Sequence, residues 1–482
     1  MRSALFKFRY ILLCVALLLL VGPASAQDYK PNSEDIKLPP GYKIEVFATG
    51  LHMPMGVTFG NDEVYAIEAG FLIPTPSAVI KVYSKDGKFL RELARGKLGN
   101  LALGITYFDG KLWVSQSSSI SLVDPKSGEV TTYLDKLPSM GDHNVSKVQF
   151  KGDYIYFGLG SYTNSAVVGG DVAGPFLQKM IDPNTGEGGR DIPCRDIVLS
   201  GVNFKTPDGK ETGPFRPYGV PAKNGEVVKG QVPCSSSVIR ARISDPKNTM
   251  ELLGWGFRNP FGLAFAPEWH PVLKGALAVS NNGMDTRGSR PVANSPDELF
   301  IIGASGGEPG FHGWPDVSGF LHVSAKQATT EVTGTLLGEN VRGIKGVYDK
   351  LPRPVTHPVA LFPINSSADG IDFSTSEQFG YPGDLFVALW GHLGFAPADQ
   401  AYQDSNVVRV HFLQPAGVQI TPFAENKKPG AAAVAGTGGF NHPIDVRFGP
   451  DGALYITDFG AFDTHAFKAK ENSGVIWKVS RK

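Results

Sequence analysis

Two short polar pairs, Asp142-His143 and Arg258-Asn259, have side chains that suit proton transfer and charge stabilisation. Histidine titrates near neutral pH, so His143 is a candidate proton acceptor. A guanidinium and an amide, as in Arg258-Asn259, can stabilise negative charge on a bound group where water is scarce. The structural alternative is a buried histidine bonded to a neighbouring element, with Arg258-Asn259 tying adjacent strands together. Both interpretations depend on where the fold places the two pairs.

The elements that must position these pairs are β-strands in six copies of one degenerate phrase. Each copy has a small or turn residue, alternating apolar positions ending in Phe or Tyr, a turn, and a second β-run. The copies are 55–59 into 64–67, 103–107 into 112–114, 148–150 into 154–157, 261–265 into 276–279, 370–373 into 385–388, and 444–448 into 453–456. Period-2 alternation bounded by Gly, Asp and Pro is typical of hairpins. Since one sheet cannot bury both faces alone, the repeats predict an all-β, six-bladed β-propeller rather than a pair of β-sandwiches.

Two stretches interrupt the repeats. Residues 165–250 are rich in Gly, Pro and Asp, and 283–365 separate the fourth and fifth copies. We expect the first to contain outer strands of a blade, including 238–243, plus an excursion over one face, where propellers place binding loops. No interdomain linker is evident, so residues 27–482 are predicted to form one domain.

Residues 1–26 are typical of a cleaved signal peptide, with a basic start, an apolar run and the small-residue end Ala24-Ser25-Ala26. The apolar run from Ile11 to Gly22 is shorter than the roughly 20 residues that span a membrane. Cys14 lies inside that run rather than after the cleavage site. We therefore expect a periplasmic or secreted protein without a membrane anchor.

The charge balance argues against some partners. The full chain has 46 basic and 46 acidic residues, and removing Arg2, Lys7 and Arg9 with the signal changes the net charge from 0 to −3. This offers no electrostatic case for binding nucleic acid or an anionic membrane. With 42% hydrophobic and 19% charged residues, the chain can form a sizeable core.

Only Cys194 and Cys234 remain after removal of the signal. In an oxidising compartment they are predicted to form a disulfide that closes one long insertion, worth about 3–4 kcal/mol in the chain-entropy model. The alternative, a zinc or thiol-redox site, lacks CxxC spacing, and the sequence has no CxxCH haem-attachment motif.

The run GWGFRNPFGLAF at 254–265 resembles the signature of the glucose/sorbosone dehydrogenase family, exported propellers that use pyrroloquinoline quinone (PQQ). Similar agreement is found for LPPGYKI at 38–44, PDEL at 296–299, GWP at 313–315, and HPIDV at 442–446 followed by GPDG. The resemblance implies a PQQ-dependent dehydrogenase of an aldose or related sugar. An external electron acceptor is implied because a haem site is lacking.

The resemblance also implies roles for both polar pairs. His143, in Asp142-His143, would be the base that takes the sugar hydroxyl proton while hydride leaves for the quinone. Arg258 and Asn259 would face the quinone oxygens.

The sequence departs from the family at other cofactor positions. Asn100 stands near a usual Gln, Trp390 and His392 lie where a Lys or Arg is usual, and His442 lies where an Arg is usual. The three carboxylates of PQQ favour cations. The histidines could bind acid groups when protonated, or the site could have moved to another ligand; Arg287, Arg290 and Lys147 are further cations that could compensate.

The family also binds calcium, which implies hard oxygen ligands here. Asp285, Asp297 and Glu298 have suitable chemistry, although Asn- and Asp-rich surface turns are common without a metal. Two other functions stay open: a calcium-dependent lactonase or other hydrolase, with Asn259, Asp369 and Asp445 on the axis, and a non-catalytic propeller that binds carbohydrate or protein.

Overall fold

Each of the six sequence repeats forms the two inner strands of a separate sheet in the computed structural model. The structure describes residues 29–70, 77–99, 101–139, 141–172, 189–205, 209–322, 346–391, 405–414, 417–463 and 468–482. From the axis outwards, the blades comprise Pro54–Phe59, Glu63–Glu68, Val79–Ser84 and Phe89–Leu93 (blade 1); Gly104–Phe108, Lys111–Gln116, Ser119–Val123 and Val130–Leu134 (blade 2); Gln149–Lys151, Tyr154–Leu159, Ser237–Arg242 and Glu251–Trp255 (blade 3); Asn259–Phe265, Leu277–Asn282, Pro296–Ile302 and Ala360–Ile364 (blade 4); Ala368–Phe373, Leu385–Leu389, Asn406–Phe412 and Val418–Asn426 (blade 5); and Pro443–Phe448, Leu454–Asp458, Gly474–Arg481 and Tyr42–Leu51 (blade 6). The predicted six-bladed propeller is confirmed.

The remaining elements are short additions to this ring. Gly310–Phe311 pairs in parallel with blade 3, and Ile36–Lys37 pairs with the outer strand of blade 5. The others are the strand pairs Ile197–Ser200 with Asn224–Val228, Phe204–Lys205 with Glu211–Thr212, Val317–Ser318 with Leu321–His322, and Phe462–Asp463 with Lys468–Ala469, the 3₁₀ turn Ser33–Asp35 and the helix Ala432–Ala435. No helix within the described ranges is long and apolar enough to cross a membrane.

The ring is closed by pairing of the two ends of the described chain. Tyr42–Leu51 forms the outer strand of blade 6 and runs antiparallel to Gly474–Arg481. Apolar faces of neighbouring sheets then pack together, as where Phe386 of blade 5 and Trp477 of blade 6 lie fully buried in one cluster. Closure thus joins the strand at 42–51 and the strand at 474–481 in one sheet, which holds the first and last blades of the ring together.

Both predicted insertions also contain blade strands. Residues 165–250 include the third strand of blade 3, as expected, and 283–365 include the two outer strands of blade 4. The predicted disulfide is present: Cys194 bonds Cys234 across a separation of 40 residues. It therefore closes the excursion between the second and third strands of blade 3.

Replacing Cys194 and Cys234 by serine is expected to lower the free energy of unfolding by about 3–4 kcal/mol, because the unfolded chain gains the entropy that the cross-link removes. Denaturant unfolding of the native and double-serine proteins measures this difference. Reductant should destabilise only the native protein. Equal unfolding midpoints without reductant would contradict the prediction.

Four repeats have glycine three residues before the aromatic that ends the phrase: Gly56, Gly104, Gly262 and Gly370. A Cβ atom at Gly104 would lie 2.6 Å from the Cα of Lys147, and one at Gly370 would lie 2.2 Å from Oδ1 of Asp445. These distances are too short for any side chain. Glycine therefore lets the inner strands approach one another closely around the axis.

The third and sixth repeats have Lys147 and Asp445 at this same position. In a ring of six, blades 3 and 6 face each other, and Nζ of Lys147 lies 2.6 Å from Oδ2 of Asp445. Both side chains are buried, with 9% and 3% of their surface exposed. The two exceptions to the glycine rule thus form one ion pair across the axis.

Candidate active site

The candidate site lies at the end of the propeller where inner strands begin and second strands end. Antiparallel neighbours place the start of one strand beside the end of the next. Asp142 and His143 lead into blade 3, Arg258 leads into blade 4, and Asp285 follows the second strand of blade 4. The fold therefore brings together residues that are up to 143 positions apart, from Asp142 to Asp285.

An ionic cluster of two arginines and three aspartates dominates this end of blades 3 and 4. Arg287 contacts Asp142, lies 3.0 Å from Asp171, and lies 3.0 Å from Asp285. Arg258 bonds Asp285 and lies 3.7 Å from Asp142. Three carboxylates thus face two guanidinium groups, so the positive charge of each arginine is already neutralised by aspartates of the cluster.

Burial and charge act against each other within this cluster. Burial opposes ionisation of Asp142, but Arg287 above all outweighs it and lowers the pKa of this carboxyl. Burial likewise opposes the charge of Arg287, and its carboxylate neighbours raise its pKa nonetheless. At Asp171 burial prevails and raises the pKa despite Arg287. Asp142 is therefore a stable anion beside His143.

His143 is held by Ser161, which lies just after the second strand of blade 3. Its Nδ1 lies 3.2 Å from the carbonyl oxygen of Ser161 and 3.0 Å from Oγ of that serine. The serine hydroxyl donates to the carbonyl of Thr163, so both oxygens are available to accept from Nδ1. Nδ1 is therefore assigned the proton, and Nε2 has the lone pair.

Burial lowers the pKa of His143 to about 3, although Asp142 opposes this change; Arg258 and Arg287 add to it. The imidazole is therefore neutral at ordinary pH. Its Nε2 lies 3.5 Å from Oδ2 of Asp142, at the edge of the ionic cluster. A neutral imidazole with an available lone pair is the form that a general base requires.

Gly160 provides the space that His143 occupies. A Cβ atom on Gly160 would lie 2.2 Å from Cβ of His143 and 3.2 Å from Oδ1 of Asn259. Asn259 therefore lies close to His143. Its Nδ2 donates to Oδ1 of Asn282 at 2.6 Å, which fixes the orientation of the amide.

Gly160→Ala is expected to displace His143 and to lower the free energy of unfolding by about 1–3 kcal/mol. The added methyl group would overlap Cβ of His143, and rotation of the histidine side chain does not move its Cβ atom. Gly170→Ala is the matched control, since a Cβ atom there would meet nothing within 4 Å. Thermal unfolding of both variants measures the effect. Equal melting temperatures would contradict the assigned packing.

Arg258 and Asn259 are anchored through Asn281. Oδ1 of Asn281 accepts both of their backbone N–H groups at 2.9 Å, and its Nδ2 donates to Glu298 at 2.7 Å. Burial raises the pKa of Glu298 to about 8, although the donors Gly319 and Asn281 lower it. Glu298 thus orients the residue that holds the start of blade 4.

Asp297 is also engaged within the fold. It accepts from the backbone of Gly283 at 2.7 Å and from Oγ of Ser366 at 2.8 Å, and burial raises its pKa to about 6. No group of three or more His, Cys, Asp or Glu side chains in the described part of the chain is arranged to hold a metal ion. Calcium binding by Asp285, Asp297 and Glu298 stays a prediction; within the protein these three carboxylates accept hydrogen bonds or form ion pairs.

Trp390 and His442 form a second group, on blades 5 and 6. Their rings stack with centroids 3.7 Å apart, and Nδ1 of His442 lies 2.9 Å from the carbonyl oxygen of Trp390. Burial lowers the pKa of His442 to about 4, although this carbonyl raises it. A neutral His442 does not supply the positive charge expected for contact with an acid group.

The other cations named from the sequence have different positions. Arg290 is fully buried and pairs with Asp316 at 2.8 Å, whereas Lys147 pairs with Asp445 on the axis. Asp369 accepts from Nδ2 of Asn282 at 3.1 Å. The axial position that a hydrolytic calcium would share with Asp445 therefore has an ammonium group beside it. Asn100 and His392 lie outside the described residues.

Several roles within the site were not predicted from the sequence, which named Arg287 only as a cation that could compensate at the cofactor site. Ser161 orients His143, and Asp171 and Arg287 complete the ionic cluster. Asn164 accepts the backbone N–H of Asp285 at 2.8 Å and donates to its carbonyl at 2.7 Å. All four lie in loops without a repeat pattern. Lys147 and Asp445 were named from the sequence for other roles, and their place in the glycine pattern is the signal that could have revealed their ion pair.

Comparison with known proteins identifies the fold. The calcium structure of the carbohydrate-active enzyme of family AA12 from Trichoderma reesei matches 95% of this chain and 99% of its own, at 15% identity and a TM-score of 0.56. The holo PQQ domain of pyranose dehydrogenase from Coprinopsis cinerea matches 94% of this chain and 98% of its own, at 13% identity and a TM-score of 0.53. A glucose dehydrogenase matches 91% of this chain and 100% of its own, at 13% identity and a TM-score of 0.51.

The chain shares the propeller fold of these proteins. The similarity extends over almost the whole chain, which is consistent with the family resemblance in the sequence. No protein-family model matches the chain. No curated protein matches its sequence.

Proposed function

We propose that this protein is an exported oxidoreductase that oxidises an aldose or related sugar with PQQ as its cofactor. The observation that supports this most is His143: a neutral imidazole with its lone pair on Nε2, beside the paired Asp142, Arg258 and Arg287. The names of the similar structures, which include a glucose dehydrogenase and the PQQ domain of a pyranose dehydrogenase, support the substrate class and the cofactor.

In this proposal His143 accepts the proton of the sugar hydroxyl at Nε2. Ser161 keeps Nδ1 protonated and so keeps the lone pair on the side where the hydroxyl binds. The anion Asp142 stabilises the imidazolium that forms. When bound, PQQ would supply a quinone able to accept hydride from the carbon that bears this hydroxyl, and its reoxidation would need an external electron acceptor.

The residues present suit the quinone end of this cofactor. Nε of Arg258 is buried and has no hydrogen-bond partner, so a quinone oxygen would satisfy a donor that otherwise lacks an acceptor. The carboxylate end is different, because Arg258, Arg287 and Lys147 are each paired with aspartate. The proposed cofactor contacts are therefore Arg258 and Asn259 at the start of blade 4, with Trp390 and His442 on blades 5 and 6.

Calorimetric titration of PQQ into the purified protein, with calcium present, tests the proposal. Saturable binding is expected, and Arg258→Lys should weaken it because lysine keeps the charge beside Asp285 but lacks the Nε donor. Arg95→Lys, a partly exposed arginine paired with Glu92, is the control that should leave binding unchanged. Absence of binding to the native protein would contradict the proposed cofactor.

The pH dependence of turnover should reflect the lowered pKa of His143. Since the folded-state pKa is about 3 and the ordinary value is 6.5, the base is expected to stay unprotonated between pH 7 and pH 5. In that range kcat/KM should not fall through protonation of His143. The neutral side chain contributes stability that is present above pH 6.5 and is lost as the pH falls towards 3. A pH profile of kcat/KM with an acid midpoint near 6.5 would contradict this assignment.

A further inference from the structure

Asp191 lies close to the candidate base, in the excursion of blade 3 and three residues before the disulfide-bonded Cys194. It is 1% exposed. Its Oδ1 accepts the backbone N–H of Tyr162 at 2.6 Å, and its Oδ2 accepts from Oγ1 of Thr163 at 2.6 Å. One buried carboxylate therefore fixes two consecutive residues directly after Ser161.

Those two residues hold the candidate base and its neighbour. The carbonyl of Thr163 accepts from Oγ of Ser161 at 2.5 Å, and Ser161 contacts Nδ1 of His143. The carbonyl of Tyr162 accepts the backbone N–H of Asp142 at 3.0 Å. Asp191 is thus connected to Asp142 through Tyr162, and to His143 through Thr163 and Ser161.

Asp191 is itself held rigidly. Gly189 packs so closely on the ring of Tyr162 that a Cβ atom there would lie 2.1 Å from Cζ. Ile192 exchanges hydrogen bonds with Ser235, with Ser235 N–H donating to its carbonyl at 3.0 Å. Cys194 is joined to Cys234 next to this contact. The residues on both sides of Asp191 are therefore held by packing and hydrogen bonds, which restrain the position of its carboxylate.

We propose that Asp191 is a positioning residue that orients His143 through the Tyr162-Thr163 segment and Ser161. A buried carboxyl needs its hydrogen-bond partners to offset the loss of water, so the segment cannot move without breaking two strong bonds. This restrains Ser161 as the acceptor for Nδ1 of His143 and so selects the tautomer with the lone pair on Nε2. The effect on turnover rests on the proposed function, whereas the effect on the imidazole does not.

The test uses nearly isosteric variants. Asp191→Asn removes the charge and replaces one acceptor oxygen by an NH₂ donor, so the two charge-assisted bonds to Tyr162 and Thr163 are weakened. Thr163→Val removes the hydroxyl bond from the other side. Asp384→Asn is the matched control, a buried carboxylate that bonds Nδ1 of His411 at 2.7 Å in the connection between the first two strands of blade 5, at the opposite end of the propeller.

The first readout is the tautomer of His143, from long-range proton–nitrogen NMR of the imidazoles. The chain has ten histidines, and the signals absent from His143→Gln identify the correct ring. The native protein and Asp384→Asn should show one tautomer protonated at Nδ1. Asp191→Asn and Thr163→Val should each show a mixture of tautomers, and their effects in the double variant should be less than additive, because both act on the same hydrogen-bonded segment.

The second readout is steady-state kinetics. Asp191→Asn is expected to lower kcat about 10- to 100-fold and to change KM less than about threefold. A misoriented His143 would slow proton transfer but would leave substrate binding largely intact. Native His143 signals in Asp191→Asn would overturn the proposal. If the native protein oxidises no sugar but the tautomer responds to Asp191, the proposed function fails and the positioning role stands.

Discussion

His143→Gln is expected to lower kcat for sugar oxidation by about 10²- to 10⁴-fold, the range that a general base contributes. Glutamine can still bond Ser161, but its amide cannot accept a proton at neutral pH. The cluster of Asp142, Arg258 and Arg287 does not depend on this imidazole for its ion pairs. PQQ binding is therefore expected to change little while turnover is lost.

Dye-coupled turnover and calorimetric titration of the same sample measure both quantities. His411→Gln is the control, because His411 is half exposed and pairs with Asp384 away from the site. Turnover at the native rate in His143→Gln would show that another group accepts the proton. A parallel loss of turnover and of binding would indicate that the imidazole holds the ligand rather than the proton.

Lys147→Met is expected to lower the free energy of unfolding by about 3–5 kcal/mol, since it leaves the carboxylate of Asp445 buried without its partner. Burial already raises the pKa of Asp445, with Lys147 opposing this effect. Without the lysine, the carboxyl should take up a proton on folding. The stability that Lys147→Met loses relative to the native protein should therefore be smaller at low pH, where the Asp445 carboxyl is protonated.

The double variant Lys147→Met, Asp445→Asn separates the ion pair from simple packing. It removes both charges and should recover most of the lost stability, because a buried pair costs desolvation that an uncharged pair does not. Lys85→Met, in the exposed pair with Asp62, should have little effect. Denaturant unfolding at pH 7 and pH 5 measures all four proteins. A single variant as stable as the native protein at both pH values would contradict the axial role.

The inner hairpins could be predicted because their signal is local. Period-2 alternation and a short turn define each pair of strands, and 370–373 with 385–388 fall within Ala368–Phe373 and Leu385–Leu389. Ring closure could not be predicted in this way. Tyr42–Leu51 pairs with Gly474–Arg481, more than 400 residues away, and no local pattern specifies that partner.

The site was predictable only in part for the same reason. His143 and Arg258 stand beside repeats, so their places at strand starts follow from the sequence. Arg287 and Asp171 lie in irregular loops, and their convergence on Asp142 depends on how those loops fold over the blades. The effect of burial on pKa could not be predicted from the sequence either. His442 is neutral because its buried surroundings lower its pKa, and residue type alone does not reveal those surroundings.

Dye-coupled oxidation of a panel of aldoses, with and without added PQQ, tests the central claim most directly. Calcium is present throughout, and the native protein is compared with His143→Gln. The account predicts PQQ-dependent dye reduction with at least one aldose by the native protein and its loss in the variant. Absence of PQQ-dependent dye reduction with every sugar of the panel, by a folded protein, would contradict it.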